Sequence, residues 1–82
     1  NVEIIVEALD RMNLLIDVAS VLSEYGANML NVSSNTHRDG MAEMRFLFQI
    51  SDISKIDRIL TKLQAVEGVF DARRMMPGNT SK

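Results

Sequence analysis

Side chains able to do chemistry are few and widely spaced in this 82-residue chain. The single histidine, His37, has Asp39 nearby, while Ser33 and Ser34 have no base placed to activate them. The absence of cysteine excludes disulfides and thiolate zinc sites. A lone histidine with scattered carboxylates is a poor set of metal ligands, and no glycine-rich phosphate loop follows a strand. The sequence therefore predicts a non-catalytic domain that uses no cofactor and no metal.

One short segment, residues 10–15, has a composition suited to binding a small zwitterion. It connects a predicted strand to a predicted helix, and the first N–H groups of a helix lack intrahelical partners. Together with the positive end of the helix dipole, these groups attract a carboxylate. Asp10 or a nearby carbonyl oxygen would receive an ammonium group, so the segment suits a ligand such as an amino acid.

Length, composition and charge restrict the class of protein. With 46% hydrophobic and 24% charged residues, the chain has ordinary globular composition, and its length allows one small domain. A net charge of −2 argues against nucleic-acid binding by bulk electrostatics. No apolar run approaches the roughly 20 residues that cross a bilayer, so we expect a cytoplasmic protein with no membrane partner. Because the chain begins with Asn1, we expect it to be a piece of a longer protein.

Hydrophobic periodicity predicts a strand, a helix and a second strand in the first half of the chain. Residues 2–8 alternate as a half-buried strand does, and the polar residues 28–37 suit a strand at a sheet edge. A helix begins at Leu14 and ends before Gly26, since glycine tolerates the positive φ of a helix C-terminus. The predicted core side of this helix consists of Leu14, Leu15, Val18, Ala19, Val21, Leu22 and Tyr25.

The second half predicts a hairpin, a core strand and another helix. Asp39 and Gly40 favour a tight turn before a strand at residues 41–50, and Asp52 is a good N-cap for a helix that ends at Gly68. The predicted core side of the strand consists of Ala42, Met44, Phe46, Phe48 and Ile50. The predicted core side of the helix consists of Ile53, Ile56, Ile59, Leu60, Leu63 and Val66.

The resulting order, β-α-β-β-α-β, predicts an α+β, ferredoxin-like fold. Right-handed crossovers place both helices on one face of a four-stranded antiparallel sheet. A last strand at residues 69–74 is expected to turn Phe70 and Ala72 inward. We expect the domain to occupy residues 1–75 and a flexible tail to occupy residues 76–82. The other sheet face is expected to be solvated, since it carries Glu3, Glu7, Glu43 and Arg45.

RNA-recognition modules share this topology and stack bases on aromatic side chains of the two central strands. The outward positions of the predicted central strands carry no aromatic ring; they are Glu3, Ile5, Glu7, Glu43, Arg45, Leu47 and Gln49. Base stacking on the sheet is therefore unfavourable. Docking to folded RNA or to a ribosome through Arg73, Arg74 and Lys82 stays open as an alternative.

Two segments carry a resemblance to the ACT family of small-molecule regulatory domains. They are residues 10–15, DRMNLL, and residues 26–30, GANML, and the predicted element order matches that family as well. The chain most resembles the C-terminal ACT domain of RelA/SpoT-type (p)ppGpp synthetase/hydrolases, the GTP pyrophosphokinases of the stringent response. Residues 39–46, DGMAEMRF, and residues 68–74, GVFDARR, extend this resemblance.

The resemblance implies a regulatory domain whose ligand lies between two copies of the chain. It nominates Asp10 and Asn28 as side-chain contacts. Backbone groups of Asn13, Leu14 and Leu15 would also contact the ligand, with Met29 and Leu30 nearby. Asn13 stands where the family usually has glycine, and asparagine tolerates the left-handed conformation better than most residues.

The resemblance also implies partners. It predicts a homodimer formed through the second strand and the first helix, with catalytic domains upstream in the same chain and a contact to the ribosome or tRNA. Three alternatives stay open. The chain could be an ACT module of an amino-acid biosynthetic enzyme or repressor, or an RNA-docking module with no small ligand. Asp10 could also only cap its loop while Asn28 only satisfies backbone groups.

Overall fold

The computed structural model describes residues 1–75 of the chain. The predicted tail, residues 76–82, lies outside the described residues. The elements are β1 (Val2–Leu9), α1 (Leu14–Glu24), β2 (Asn28–Thr36), β3 (Met41–Gln49), α2 (Ile56–Gln64) and β4 (Val69–Met75). A short 3-10 turn, Ile53–Lys55, precedes α2.

The strands form one antiparallel sheet in the order β2-β3-β1-β4, with the two helices packed against it. This arrangement confirms the predicted ferredoxin-like fold. The predicted edge position of β2 is also confirmed, and β4 forms the opposite edge. Because β1 and β2 both run antiparallel to β3, they run parallel to each other, and the end of β1 lies at the same side of the sheet as the end of β2.

The core lies between the helices and one face of the sheet. Alternate side chains of β3 enter it as predicted, and Phe46 and Phe48 are fully buried. Val18 and Leu22 from α1 and Ile59 from α2 cover them. No buried side chain within residues 1–75 is polar or charged, so hydrophobic burial is the main source of stability in the described domain.

Two residues predicted for the core sides of the helices lie at the surface instead. Leu15 is 45% exposed and Ile53 is 61% exposed. Ile53 is the first residue of the 3-10 turn and precedes α2, whose buried side begins only at Ile56 and continues with Ile59. Leu15 lies on the side of α1 that borders a surface cavity described below.

The prediction that Phe70 points inward is wrong, because β4 contains a bulge. Ala8 pairs with Val69 and Glu7 pairs with Asp71, which leaves Phe70 as the extra residue between two register positions. Phe70 is 62% exposed, whereas Ala72 beyond the bulge is buried as predicted.

The sheet face away from the helices is polar, as predicted, but one of its residues is buried. Ile5 is only 2% exposed and lies between Arg45 on β3 and Arg73 on β4. Arg73 forms ion pairs with Glu7 and Asp71, at 3.3 and 2.7 Å. The ion pairs hold the guanidinium group on the sheet, and we infer that the apolar stems of the two arginines cover Ile5.

Candidate functional site

The β1–α1 loop, residues 10–13, is tied to two other turns by backbone hydrogen bonds. The N–H of Leu9 donates to the carbonyl of Gly68 at 2.8 Å, and the N–H of Asp10 donates to the carbonyl of Gly40 at 2.8 Å. The start of the loop is thereby fixed between the β2–β3 hairpin and the α2–β4 turn. The Asp10 side chain itself is exposed.

Asn13 provides the turn that leads the loop into α1. Its φ of 67° and ψ of 10° are left-handed, which confirms the expectation that asparagine preserves the turn. Its side chain makes no capping hydrogen bond. The carbonyl of Asn13 accepts from the N–H of Asp17 at 3.0 Å, so the backbone alone joins this residue to the first turn of the helix.

Arg11 was not among the predicted site residues, yet it makes three hydrogen bonds around the loop. Its Nε donates to the carbonyl of Glu67 at 2.9 Å, and one terminal nitrogen donates to the carbonyl of Met12 at 2.9 Å. The other terminal nitrogen donates to the Asp17 carboxylate at 2.8 Å. The pairing of Asp10 with Arg11 in the family-like segment was the only sequence signal for this role.

A surface cavity of about 340 Å³ lies against this loop. Four of the seven predicted site residues line it, together with side chains from α1, β2 and β3. Its lining consists of Asp10, Arg11, Asn13, Leu14, Leu15, Ile16, Ser34, Ala42 and Met44. The presence of Ser34 shows that the loop lies beside the C-terminal end of β2.

The other three predicted residues, Asn28, Met29 and Leu30, do not line this cavity. They begin β2 after α1, whose 11 residues span about 16 Å. Asn28 donates through its side-chain amide to the Gln49 side-chain oxygen at 3.3 Å. A register shift between Met29 and Asn31 leaves Leu30 outside the ladder to β3, and it is 46% exposed. Within a single chain, the two halves of the predicted site therefore lie at opposite ends of α1.

The surface formed by α1 and β2 exposes large apolar side chains. We call this surface the α1–β2 surface and define it by Leu15, Ile16, Leu30 and Val32, which are 40–63% exposed. No residue of β2 is buried, and the outer edge of β2 pairs with no other strand among the described residues. Unpaired edges and exposed apolar patches are features of interaction surfaces.

The basic residues predicted for RNA docking differ in their surroundings. Arg73 contacts Glu7 and Asp71, and its hydrogen bond to Asp71 is the main reason that its pKa is raised above the usual value. Arg74 is partly buried, and its Nε makes no hydrogen bond within the described residues. Lys82 lies outside those residues. The ion pairs of Arg73 neutralise one of the two charges at this end of β4.

Neither a membrane span nor a metal centre is found in the part of the chain that the structure describes. No helix there has the length and apolar character needed to cross a bilayer. Within residues 1–75, no three histidine or acidic side chains lie close enough together to hold a metal ion.

Comparison with known proteins identifies the family. A model of the ACT domain matches residues 1–74. The chain belongs to the ACT domain family. A GTP pyrophosphokinase of Streptomyces antibioticus is 44% identical over 77 residues, which are 94% of this chain and 9% of that protein. The bifunctional (p)ppGpp synthase/hydrolase RelA of Mycobacterium tuberculosis is 40% identical over 74 residues, or 90% of this chain and 9% of that protein.

The fold comparison agrees with the family. The crystal structure of the ACT domain from a Chlorobium tepidum GTP pyrophosphokinase superimposes with a TM-score of 0.77, covering 90% of this chain and 95% of that one at 22% identity. This ACT domain is thus a regulatory module of the type found in RelA/SpoT-type GTP pyrophosphokinases, which confirms the predicted family. The chain spans about a tenth of the length of the curated relatives that it matches.

Proposed function

We propose that this ACT domain senses an amino acid at a site shared by two copies and thereby controls catalytic domains elsewhere in a GTP pyrophosphokinase. The observation that carries the proposal is the cavity beside the β1–α1 loop, which contains Asp10 and the start of α1. The helix start attracts a carboxylate, and Asp10 attracts an ammonium group. Since the related enzymes are named for reactions of guanine nucleotides, we place the protein in the cytoplasm.

The two halves of the site would meet if two β2 edges paired antiparallel. The middle residue of β2 is Val32, so a two-fold axis there sets Asn28 of one copy opposite Thr36 of the other. The cavity borders Ser34, near that same end of β2. Asn28, Met29 and Leu30 of one copy would then approach Asp10 and the loop of its partner. This pairing would also cover the α1–β2 surface.

Sedimentation of Val32→Lys tests the dimer. In the proposed pairing, the two Val32 side chains lie next to the axis, so the substitution places two positive charges together and removes apolar contact. We expect the dimer dissociation constant to rise at least about tenfold. Ile53→Lys is the matched control, because Ile53 is also exposed but lies on the turn before α2.

The dimer proposal requires the wild-type chain to sediment at about twice the 9.2 kDa of one chain. Dissociation by Val32→Lys with an intact Ile53→Lys dimer would support the α1–β2 surface. A wild-type monomer at millimolar concentration, or equal dissociation of the two variants, would contradict it.

An amide NMR titration tests ligand binding. The probes are the standard L-amino acids at millimolar concentration, beginning with valine, leucine and isoleucine. We expect saturable shifts of residues 10–15 and of Asn28, Met29 and Leu30 for at least one of them. Asp10→Ala should abolish the shifts, whereas Asp57→Ala should retain them, since Asp57 is an exposed residue of α2. A folded dimer that shows no saturable shift with any of these probes would refute amino-acid sensing.

A docking contact to the ribosome or tRNA forms a separate part of the proposal, and Arg74 is the residue that we assign to it. Arg73 is held by two carboxylates, whereas Arg74 forms no ion pair among the described residues, so its charge is not neutralised there. We expect Arg74→Gln in the full-length protein to weaken cosedimentation with ribosomes more than Arg73→Gln does. Equal binding by the wild-type protein and both variants would exclude this contact.

A further inference from the structure

We infer that Arg11 is a positioning residue that couples the candidate ligand loop to the α2–β4 turn. The inference rests on the proposed function, because it concerns regulation at the same site. The Arg11 side chain donates three hydrogen bonds, one to the α2–β4 turn, one to the loop and one to α1. No other side chain within residues 1–75 makes hydrogen bonds to all three elements.

Of the three hydrogen bonds, the one to the α2–β4 turn joins segments that are far apart in the sequence. Arg11 reaches the carbonyl of Glu67, which is 56 positions further along the chain. Gly68 follows with a φ of +90°, and a methyl group at its Cα would lie 3.6 Å from the Arg11 Nε. The N–H of Leu9 donates to the carbonyl of Gly68 beside this contact. The loop and the turn therefore share a small hydrogen-bonded unit in which Arg11 is the one charged donor.

The contacts to Met12 and Asp17 fix the other side of the loop. They hold the guanidinium plane between the loop carbonyl and the first turn of α1, whose residues Leu14, Leu15 and Ile16 line the cavity. The contact to Asp17, at 2.8 Å, is both a hydrogen bond and an ion pair. A movement of the loop must therefore break one of the three bonds or move the turn before β4.

Only the planar fork of arginine can make these bonds together. A guanidinium presents five N–H donors in fixed directions, whereas a lysine ammonium is a single point on a flexible stem. Arg11→Lys would retain the charge and lose the simultaneous contacts. We therefore expect Arg11→Lys to behave like Arg11→Met rather than like the wild type.

Amide hydrogen exchange of the 82-residue chain without ligand tests the positioning role. The reporters are the N–H of Leu14, which donates to the Arg11 carbonyl, and the N–H of Leu9, which donates to Gly68. We expect both to exchange about tenfold faster in Arg11→Met, while Phe46 in the core keeps its wild-type rate. Arg58→Met is the control, because Arg58 is exposed on α2.

A double-mutant cycle with Gly68→Ala then tests the coupling itself. Alanine is strained at a φ of +90°, so this substitution disturbs the turn and, through Arg11, should speed exchange at Leu14. In the Arg11→Met background, Gly68→Ala should have no further effect at Leu14. This non-additivity is a result that a merely stabilising role for Arg11 would not produce.

The inference is overturned if the two substitutions act additively at Leu14, if Arg11→Lys exchanges like the wild type, or if Phe46 accelerates as much as Leu14. No amino acid is present in either experiment. A failed titration would therefore remove the proposed sensing function while leaving the measured coupling between loop and turn intact.

Discussion

The free-energy cost of the left-handed turn at Asn13 can be measured as the difference in stability between two variants at this position. Its left-handed φ of 67° is unfavourable for residues with a Cβ, by about 1–2 kcal/mol, and asparagine avoids part of this penalty. Because its side chain makes no capping hydrogen bond, Asn13→Ala removes no such bond. The expected loss of stability, about 1 kcal/mol, is then a backbone effect.

Asn13→Gly provides the matched comparison. Glycine adopts the left-handed conformation without strain, but it also increases the conformational entropy of the unfolded chain by about 0.4–1 kcal/mol. These effects oppose each other, so we expect the stability of Asn13→Gly to lie within about 0.5 kcal/mol of the wild type. The alanine variant should be clearly less stable than the glycine variant.

Urea unfolding followed by circular dichroism at one chain concentration measures both variants. The slope with urea should not change, because neither substitution alters the surface that unfolding exposes. In thermal unfolding, the alanine variant should melt about 4–8 °C lower for each kcal/mol lost. Equal stability of the alanine and glycine variants would refute the left-handed conformation as a constraint on the loop.

Three further predictions concern the sheet and the start of α2. Ile5→Ala should destabilise the fold by about 2 kcal/mol, near the lower end for core truncations because the arginine stems can collapse onto the gap. Ile53→Ala, at an exposed position on the turn before α2, should change urea stability by less than about 0.5 kcal/mol. Phe70→Ser should likewise be tolerated in urea unfolding, while Phe46→Ala should cost about 3–5 kcal/mol; a large effect at Phe70 would contradict the bulge. Hydrogen bonds from Ser54 lower the pKa of Asp52 below its ordinary value of 3.8, so this carboxylate stabilises the fold above that pH. Asp52→Ala should lower the melting temperature at pH 7, and the difference from the wild type should shrink as the pH falls below 3.8.

Much of the fold could be predicted from local sequence periodicity. The alternation in β3 and, except at Leu15, the apolar stripe of α1 gave the correct buried faces, because each pattern repeats several times within one element. The position of Phe70 could not be obtained in this way. Its bulge depends on how β4 aligns with β1, which is a register between segments some 60 residues apart. The burial of Ile5 likewise depends on the alignment of β1 with two other strands, which places Ile5 between Arg45 and Arg73.

The candidate site, like the fold, could be predicted from the sequence only in part. The loop half of the candidate site could be proposed from sequence because its residues fall within the short segment 10–15, and four of them line one cavity. Arg11 was missed because its distant acceptor is a backbone carbonyl, and any residue type can supply such a carbonyl. The other half, Asn28, Met29 and Leu30, lies at the opposite end of α1, so it can join the loop in one site only in the proposed dimer.

Paramagnetic relaxation between two copies tests the shared site most directly. The chain has no cysteine, so Asn28→Cys can carry a single nitroxide label on one copy while a second, unlabelled copy enriched in ¹⁵N is observed. Every effect on the observed spectrum then arises between chains. We expect the amides of residues 10–15 to broaden, and the same label at Ile53→Cys to leave them sharp. A dimer in which the Asn28→Cys label broadens other amides but not residues 10–15 would contradict a site built from two copies.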